Sequence, residues 1–350
     1  WGLYSDSSRW RRYPDAQVRA ELSDIAAHGI TTLMCYPPYH SEATYEDGTL
    51  TVNASEFVRY MRMAKEAGLR GPWVMSLQAL AGRVRSLVPG KPLTDPEFKK
   101  VYQAYARHFA DLAKREDWGE CVWHTIDEPW SEDKQKTAAV TLDYLKELGL
   151  TTFTTAGPVP PEIDEVLDVR CYSIGHLLSS AAVLAEQRRL TAAAGDRLWF
   201  YGSGCYTGQD GNVIANRFIT GFLFYKSGAE AEWSWTFLRT KGDVYNDFDG
   251  TRHREAKEAC TVYPSTTQGA PTPTLQWEGI REGIDDYCTV TTVLGEAKRQ
   301  GGEPERTARR ELARLLSQVP VNRRPGDFTA ADADRLRRDV VRIFYAHLAQ

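Results

Sequence analysis

The stretch Cys121-Val122-Trp123-His124-Thr125-Ile126-Asp127-Glu128-Pro129-Trp130-Ser131-Glu132-Asp133 reads as one strand running into one helix. Its first six residues are apolar or β-favouring, as a strand buried on both faces requires. Ser131 is a ready helix N-cap, and Glu132 and Asp133 complement the helix dipole in the first turn. Asp127 and Glu128 are therefore not needed for capping. They stand where the strand ends.

The same strand–helix unit recurs in both directions from this point. Candidate strands are Gly2–Tyr4, Thr31–Cys35, Trp73–Leu77, Cys121–Ile126, Thr151–Thr155, Val169–Ile174, Leu198–Tyr201 and Ala231–Trp235. Amphipathic periodicity predicts helices near Asp15–His28, Ala54–Ala67, Pro96–Arg115, Glu132–Leu148, Ser179–Ala194 and Asn212–Tyr225. Gly29, Gly68, Gly149 and Gly195 sit where helices should close. Pro158–Val166 is too short and proline-rich for a full helix. Eight β units followed mostly by helices predict an α/β fold, a (β/α)8 TIM-like barrel with a C-terminal helical extension. The rival, a doubly wound open sheet, usually carries a glycine-rich turn after its first strand. Here Gly2-Leu3-Tyr4-Ser5-Asp6 runs into Ser7-Ser8-Arg9-Trp10, which cannot cradle a pyrophosphate.

Past the eighth strand, Arg239–Thr274 is irregular, and a helix is expected over Leu275–Leu294. Gln300–Pro304 reads as a linker, followed by helices over Glu305–Gln318 and Ala330–Leu348. Thr329 with Asp332 has the spacing of a capping box. The expected division is a barrel over residues 1–299 and C-terminal helices over 300–350.

Composition narrows the function classes. Of 350 residues, 42% are hydrophobic and 26% charged, which fits a folded globular chain. The formal net charge of −4 gives no general attraction to nucleic acid or anionic membrane. No apolar run approaches the ~20 residues a membrane-spanning helix needs. The six cysteines are scattered, with no CxxC pair. Asp243, Asn246, Asp247 and Asp249 lack the spacing of an EF-hand loop, and no P-loop, nucleophile elbow or zincin helix occurs. No cofactor and no metal are expected. The chain begins at Trp1 without a methionine or a signal-peptide pattern.

In a barrel the reactive side chains gather at strand C-termini and in the loops after them. Adjacent acids before a helix are commonly mere loop acids. At the end of a fourth barrel strand, beside His124, Pro129 and Trp130, they read better as a catalytic pair. Close carboxyls resist joint ionisation, so one can stay protonated as a general acid while its partner holds positive charge or orients an N–H. Sugar cleavage through an oxocarbenium-like state uses this division. A retaining glycosidase usually adds a carboxylate nucleophile about 5 Å from the acid. The seventh strand, Leu198-Trp199-Phe200-Tyr201-Gly202-Ser203-Gly204, offers none, and Glu230 and Glu232 on the eighth are the nearby substitutes. That gap favours attack by the sugar's own 2-acetamido carbonyl, with Asp127 steadying the amide and Glu128 protonating the departing oxygen. Two alternatives stand beside it. One is a conventional retaining glycosidase with Glu128 as acid and Glu232 as nucleophile. The other is a non-catalytic carbohydrate-binding barrel.

Aromatic faces stack on sugar rings. Tyr36, Trp130, Tyr201, Tyr206, Trp233 and Trp235 are accordingly candidates for binding the carbohydrate, and Tyr206 can donate to the acetamido oxygen. His124 joins them as a candidate, although its place within the strand equally suits a hydrogen-bonded barrel residue.

Two motifs carry a family resemblance. One is Asp127-Glu128. The other is Tyr263-Pro264 followed by Pro273-Thr274-Leu275-Gln276-Trp277-Glu278-Gly279-Ile280-Arg281-Glu282-Gly283-Ile284-Asp285-Asp286-Tyr287. In these the chain resembles glycoside hydrolase family 123, the β-N-acetylgalactosaminidases, over about Gly2 to Leu294. The resemblance implies a (β/α)8 catalytic domain and a retaining, substrate-assisted mechanism on β-linked N-acetylgalactosamine. It implies Asp127 as the residue orienting the acetamido group and Glu128 as the acid/base.

Overall fold

The structure, a computed structural model, describes residues 1–4, 10, 11, 13–204, 213–239, 260–267, 269–321 and 328–349. Eight parallel strands close a barrel. In spatial order they are β1 (Gly2–Leu3), β2 (Thr32–Cys35), β5 (Trp73–Ser76), β6 (Cys121–Asp127), β7 (Thr152–Ala156), β8 (Val169–Ser173), β9 (Arg197–Gly204) and β10 (Ala231–Trp235). All eight expected strands are present. β5 and β7 are buried along their whole length, as strands with the barrel interior on one face and helices on the other must be.

Alternation along each strand sorts its side chains. Tyr4, Met34, Val74, Val122, Phe153, Val169, Cys171, Trp199 and Trp233 fill the interior. Leu3, Leu33, Trp73, Met75 and Trp123 face the surrounding helices. A methyl group on Gly2 would collide with the Trp233 indole, so glycine makes room for that ring.

Most of the expected helices form with shifts of one to three residues at their ends, Pro96–Arg115 has the expected bounds, and the helix expected over Leu275–Leu294 runs six residues further, to Gln300. Gly29, Gly68, Gly149 and Gly195 all take the left-handed conformation expected of helix-closing glycines. The helix expected over Asn212–Tyr225 is broken, because a π-helical turn at Ile219–Leu223 separates Val213–Phe218 from Phe224–Ser227. Leu80–Leu87 is a further helix. The antiparallel hairpin β3 (Glu42–Glu46) and β4 (Thr49–Asn53) is also additional, built on Asp47 and Gly48, both at positive φ. β11 (Val262–Tyr263) and β12 (Thr272–Pro273) form a second small pair.

The reading of Gln300–Pro304 as a linker is corrected. The helix from Leu275 runs to Gln300, and Gly301 alone separates it from the next, Gly302–Leu316. Pro304 falls in that helix's first turn, where a missing N–H leaves no backbone bond unmade. The Thr329–Asp332 capping box forms at the head of Ala330–His347. The C-terminal helices share one apolar cluster with the barrel side: Ala308, Leu312, Leu336 and Val340 meet Phe218, Phe222, Val290 and Val293. Within this layer Asp286, fully buried, accepts hydrogen bonds from both Arg217 (2.7 Å) and Arg337 (2.5 Å).

One helix gives a stability test with opposite signs. A methyl group at Gly283 would overlap Thr220 Oγ1 and stand 2.5 Å from the Arg217 carbonyl oxygen, whereas one at Gly295 meets nothing within 4 Å. Gly283→Ala is expected to cost about 1–3 kcal/mol through overpacking. Gly295→Ala should add about 0.5–1 kcal/mol by removing a helical glycine. Urea midpoints of the two variants check this.

Candidate active site

Along a strand, adjacent side chains point to opposite faces. Asp127 and Glu128 escape that rule at the C-terminal end of β6. The β6–β7 register shifts between His124 and Asp127, a bulge-type irregularity of the kind that re-aims side chains. Glu128 then takes φ 43°, left-handed for a residue with a side chain. As a result both carboxylates line one cavity.

The neighbouring strand holds this turn. Thr155 Oγ1 donates to Asp127 Oδ1 at 2.6 Å, and the Glu128 N–H donates to the Thr155 carbonyl oxygen at 3.1 Å. Lys134, in the first turn of the following helix, donates its Nζ to the carbonyl oxygens of Asp127 (3.0 Å) and Glu128 (3.2 Å). Ser131 caps that helix by accepting from the Lys134 N–H, which leaves both acid side chains for the cavity. From β9, the Tyr201 hydroxyl donates to Glu128 Oε1 at 2.5 Å. Burial, reinforced by the adjacent Glu128 carboxylate, pushes the Tyr201 phenol far above its ordinary pKa, so it remains a donor.

The cavity holds about 530 Å³. Its described lining runs from Tyr4, Met34 and Tyr36 through Gln78, Asp127 and Glu128 to Ser173–Gly175, Tyr201, Gly202, Trp235 and Arg239. An adjoining pocket of about 280 Å³ shares Tyr4, Tyr36, Gln78, Trp235 and Arg239 with it and adds Tyr39 and Thr236. Tyr4 Oη is buried without a hydrogen-bond partner among the described residues. Burial drives its pKa well above the ordinary phenol value.

Of the candidate binding residues, Tyr36, Tyr201 and Trp235 stand on the cavity wall with both acids. Three are placed elsewhere. Trp233 is 0% exposed and belongs to the barrel interior with Trp199. The period of two puts it inside with Trp235, but one layer, roughly 6–7 Å, deeper. His124 is also 0% exposed; its Nδ1 lies 3.0 Å from Ser76 Oγ and its ring meets Phe153 edge-on. Burial lowers its pKa, with Asp127 opposing, which keeps the imidazole neutral. Trp130 is 56% exposed, packs beside Gly157 and lines neither pocket. Tyr206, Asp243, Asn246, Asp247 and Asp249 lie outside the described residues. Glu232 is 0% exposed and, by strand alternation, on the opposite face of β10 from Trp233 and Trp235. Glu230 pairs with Arg197 at the other end of the barrel.

Thr155, Tyr4, Gln78, Lys134 and Arg239 were not singled out by sequence reasoning. Tyr4 ends the first strand, Gln78 follows the third and Thr155 lies in the fifth, so strand position alone could have found them. Lys134 and Arg239 carried no such signal.

A closed parallel barrel with two carboxylates converging in a polar and aromatic cavity at its C-terminal mouth is the architecture of a carbohydrate-cleaving barrel enzyme. The chain belongs to glycoside hydrolase family 123: the family model "Glycoside hydrolase 123, catalytic domain" matches residues 15–293. Among solved structures it is similar to a family 123 glycoside hydrolase from Clostridium perfringens, described in connection with glycolipid glycan hydrolysis, at TM-score 0.72 and 10% identity over 99% of this chain and 70% of that one. It also shares its fold with the exo-β-1,4-mannosidase Op5Man5 from Opitutaceae bacterium strain TAV5 (TM-score 0.55, 13% identity, 82% of this chain, 59% of that one). The endo-β-1,4-mannanase of Thermotoga petrophila is a third example (TM-score 0.53, 10% identity, 82% and 76%). No curated protein matches the chain in sequence.

The Tyr201–Glu128 bond yields a prediction. Tyr201→Phe should lower kcat on an aryl glycoside substrate by about tenfold while KM changes little, since the lost bond orients Glu128. Trp233→Phe, a core change, should lower the melting temperature and leave KM unaltered. Steady-state kinetics and thermal melts of the two variants separate positioning from packing.

Proposed function

We propose that this chain is a retaining β-N-acetylhexosaminidase, acting on N-acetylgalactosamine by substrate-assisted catalysis. The observation that carries the reading is the convergence of two chain neighbours, Asp127 and Glu128, on one sugar-sized cavity. In the first step the 2-acetamido carbonyl oxygen attacks C1 and the bond from C1 to the leaving oxygen breaks. Glu128 gives its proton to that oxygen. Asp127 accepts the amide N–H, which becomes more acidic as the oxazolinium ring forms. In the second step water attacks C1, Glu128 takes its proton, and the ring opens with the original anomeric configuration restored. Thr155 and Tyr201 hold the two acids in these roles. Asp127 and Glu128 are the carboxylates among the described lining residues, and Glu232 projects from the other face of its strand. Both facts favour assistance by the substrate over a protein nucleophile.

Glu128→Gln should reduce turnover of an aryl N-acetyl-β-galactosaminide by about 10²- to 10⁴-fold, the usual worth of a general acid. The loss should be smaller for a dinitrophenyl leaving group, which needs no proton. Asp127→Asn should lose activity comparably. Glu232→Gln should keep kcat within about threefold, whereas a nucleophile would cost several orders of magnitude more. Proton NMR of the first-formed product should show the β-anomer, and a thiazoline analogue of the cyclised intermediate should inhibit. Absence of turnover on every 2-acetamido glycoside tested would overturn the reading.

A further inference from the structure

The reading above, on which this inference rests, assigns Asp127 and Glu128 to substituents on two adjacent ring carbons, C2 and C1. These atoms form one edge of a pyranose. The opposite edge carries O4 and O6, and it must face the wall across the mouth. In a ring of eight strands, β10 stands four places from β6 and is diametrically opposed to it. The far wall is therefore centred on β10 and its neighbour β1, presenting Trp235, Arg239 and Tyr4.

That wall is built for more than a hydroxyl. The pocket of about 280 Å³ adjoins the cavity at this wall, sharing Tyr4, Trp235 and Arg239 with it. Arg239 lines both spaces, and it is the cationic side chain among the described residues of either lining. No acidic side chain is among the described residues lining the second pocket. Tyr4 lines both spaces, with its hydroxyl buried in the barrel interior. The Arg239 backbone is anchored, since Leu238 bridges to Cys260 and the Arg239 carbonyl accepts from Cys260 Sγ, while its side chain is exposed.

We propose that the N-acetylhexosamine accepted here bears an anionic oxygen group, a sulfate ester or a carboxylate, at position 4 or 6, bound by Arg239. The guanidinium fork matches such groups with two parallel hydrogen bonds. The carboxylates of the opposite wall repel the same group, so charge alone admits the sugar with C1 toward Glu128. A neutral sugar extending the chain in the same direction is the competing occupant.

The test compares kcat/KM of the wild type and Arg239→Gln on five substrates. These are an aryl N-acetyl-β-galactosaminide, its 4-sulfate, its 6-sulfate, its 6-carboxylate, and the same ring extended by a neutral hexose. One sulfate or the carboxylate should exceed the plain glycoside at least tenfold, chiefly through KM, and the better of the two identifies the source of the anion. Arg239→Gln should bring that ratio close to one, and Arg239→Lys should retain part of it. Raising salt from about 0.05 to about 0.5 M should shrink the preference as the charges are screened. Equal or poorer turnover of every charged substrate overturns the proposal, as does a preference for the neutral extension or an equal loss on all five in Arg239→Gln. Turnover of the plain glycoside reports separately on the proposed function. Calorimetric binding of free N-acetylgalactosamine 6-sulfate and 4-sulfate against N-acetylgalactosamine, measured on Glu128→Gln, reads the anion site even where no turnover occurs.

Discussion

Two side chains adjacent in a strand cannot share a face, and the site depends on how that constraint is lifted. Glu128 adopts a left-handed backbone conformation, which for a residue with a Cβ costs roughly 1–2 kcal/mol. The surrounding hydrogen bonds offset this. Thr155 accepts the Glu128 N–H and donates to Asp127, and Lys134 spans the two carbonyl oxygens. Each net bond contributes on the order of 1 kcal/mol, so the turn is held by its neighbours rather than by its own preference. The strain lies where the two acids are, and the convergence of the carboxylates is its product.

How much of this could be read beforehand follows from which signals are local. The barrel strands were legible because parallel strands buried on both faces leave short apolar runs, and Thr31–Cys35 or Ala231–Trp235 can be little else. The hairpin around Asp47-Gly48 was equally legible in principle, since that dipeptide between alternating residues is a strong turn signal. The π-helical turn at Ile219–Leu223 was not. It arises where Gly221 packs against the backbone of Gly283, a contact between residues far apart in sequence. The Gly301-Gly302 pair misled for a related reason: glycine and proline mark a break in local reading, whereas helix-on-helix packing lets the chain resume after one residue.

The site divides in the same way. Position at a strand's end pointed to Asp127, Glu128, Tyr36 and Trp235. It could not rank Trp233 against Trp235, because alternation fixes the face of a residue and not its depth. In a barrel, depth decides whether an indole becomes core or wall. Thr155 and Tyr201 act through contacts between strands, which depend on register and are invisible in any single segment. Tyr201 was a candidate for binding a sugar through its ring, and its hydroxyl donates to Glu128.

That contact shapes the chemistry of the acid. A phenol that stays protonated donates to Glu128 Oε1, so this oxygen serves as an acceptor in either ionisation state of the carboxyl. A proton carried by Glu128 must then sit on Oε2. On the proposed mechanism one oxygen is committed to the protein and the other is left for proton transfer, which would fix the direction from which a leaving group is protonated. Asp127 is treated alike, with Oδ1 engaged by Thr155. Each acid thus faces the cavity with one committed and one reacting oxygen. Two reacting oxygens from neighbouring residues can address two neighbouring atoms of a ring, but they cannot reach both of its faces. For that reason the arrangement suits a nucleophile carried by the sugar better than one supplied across it.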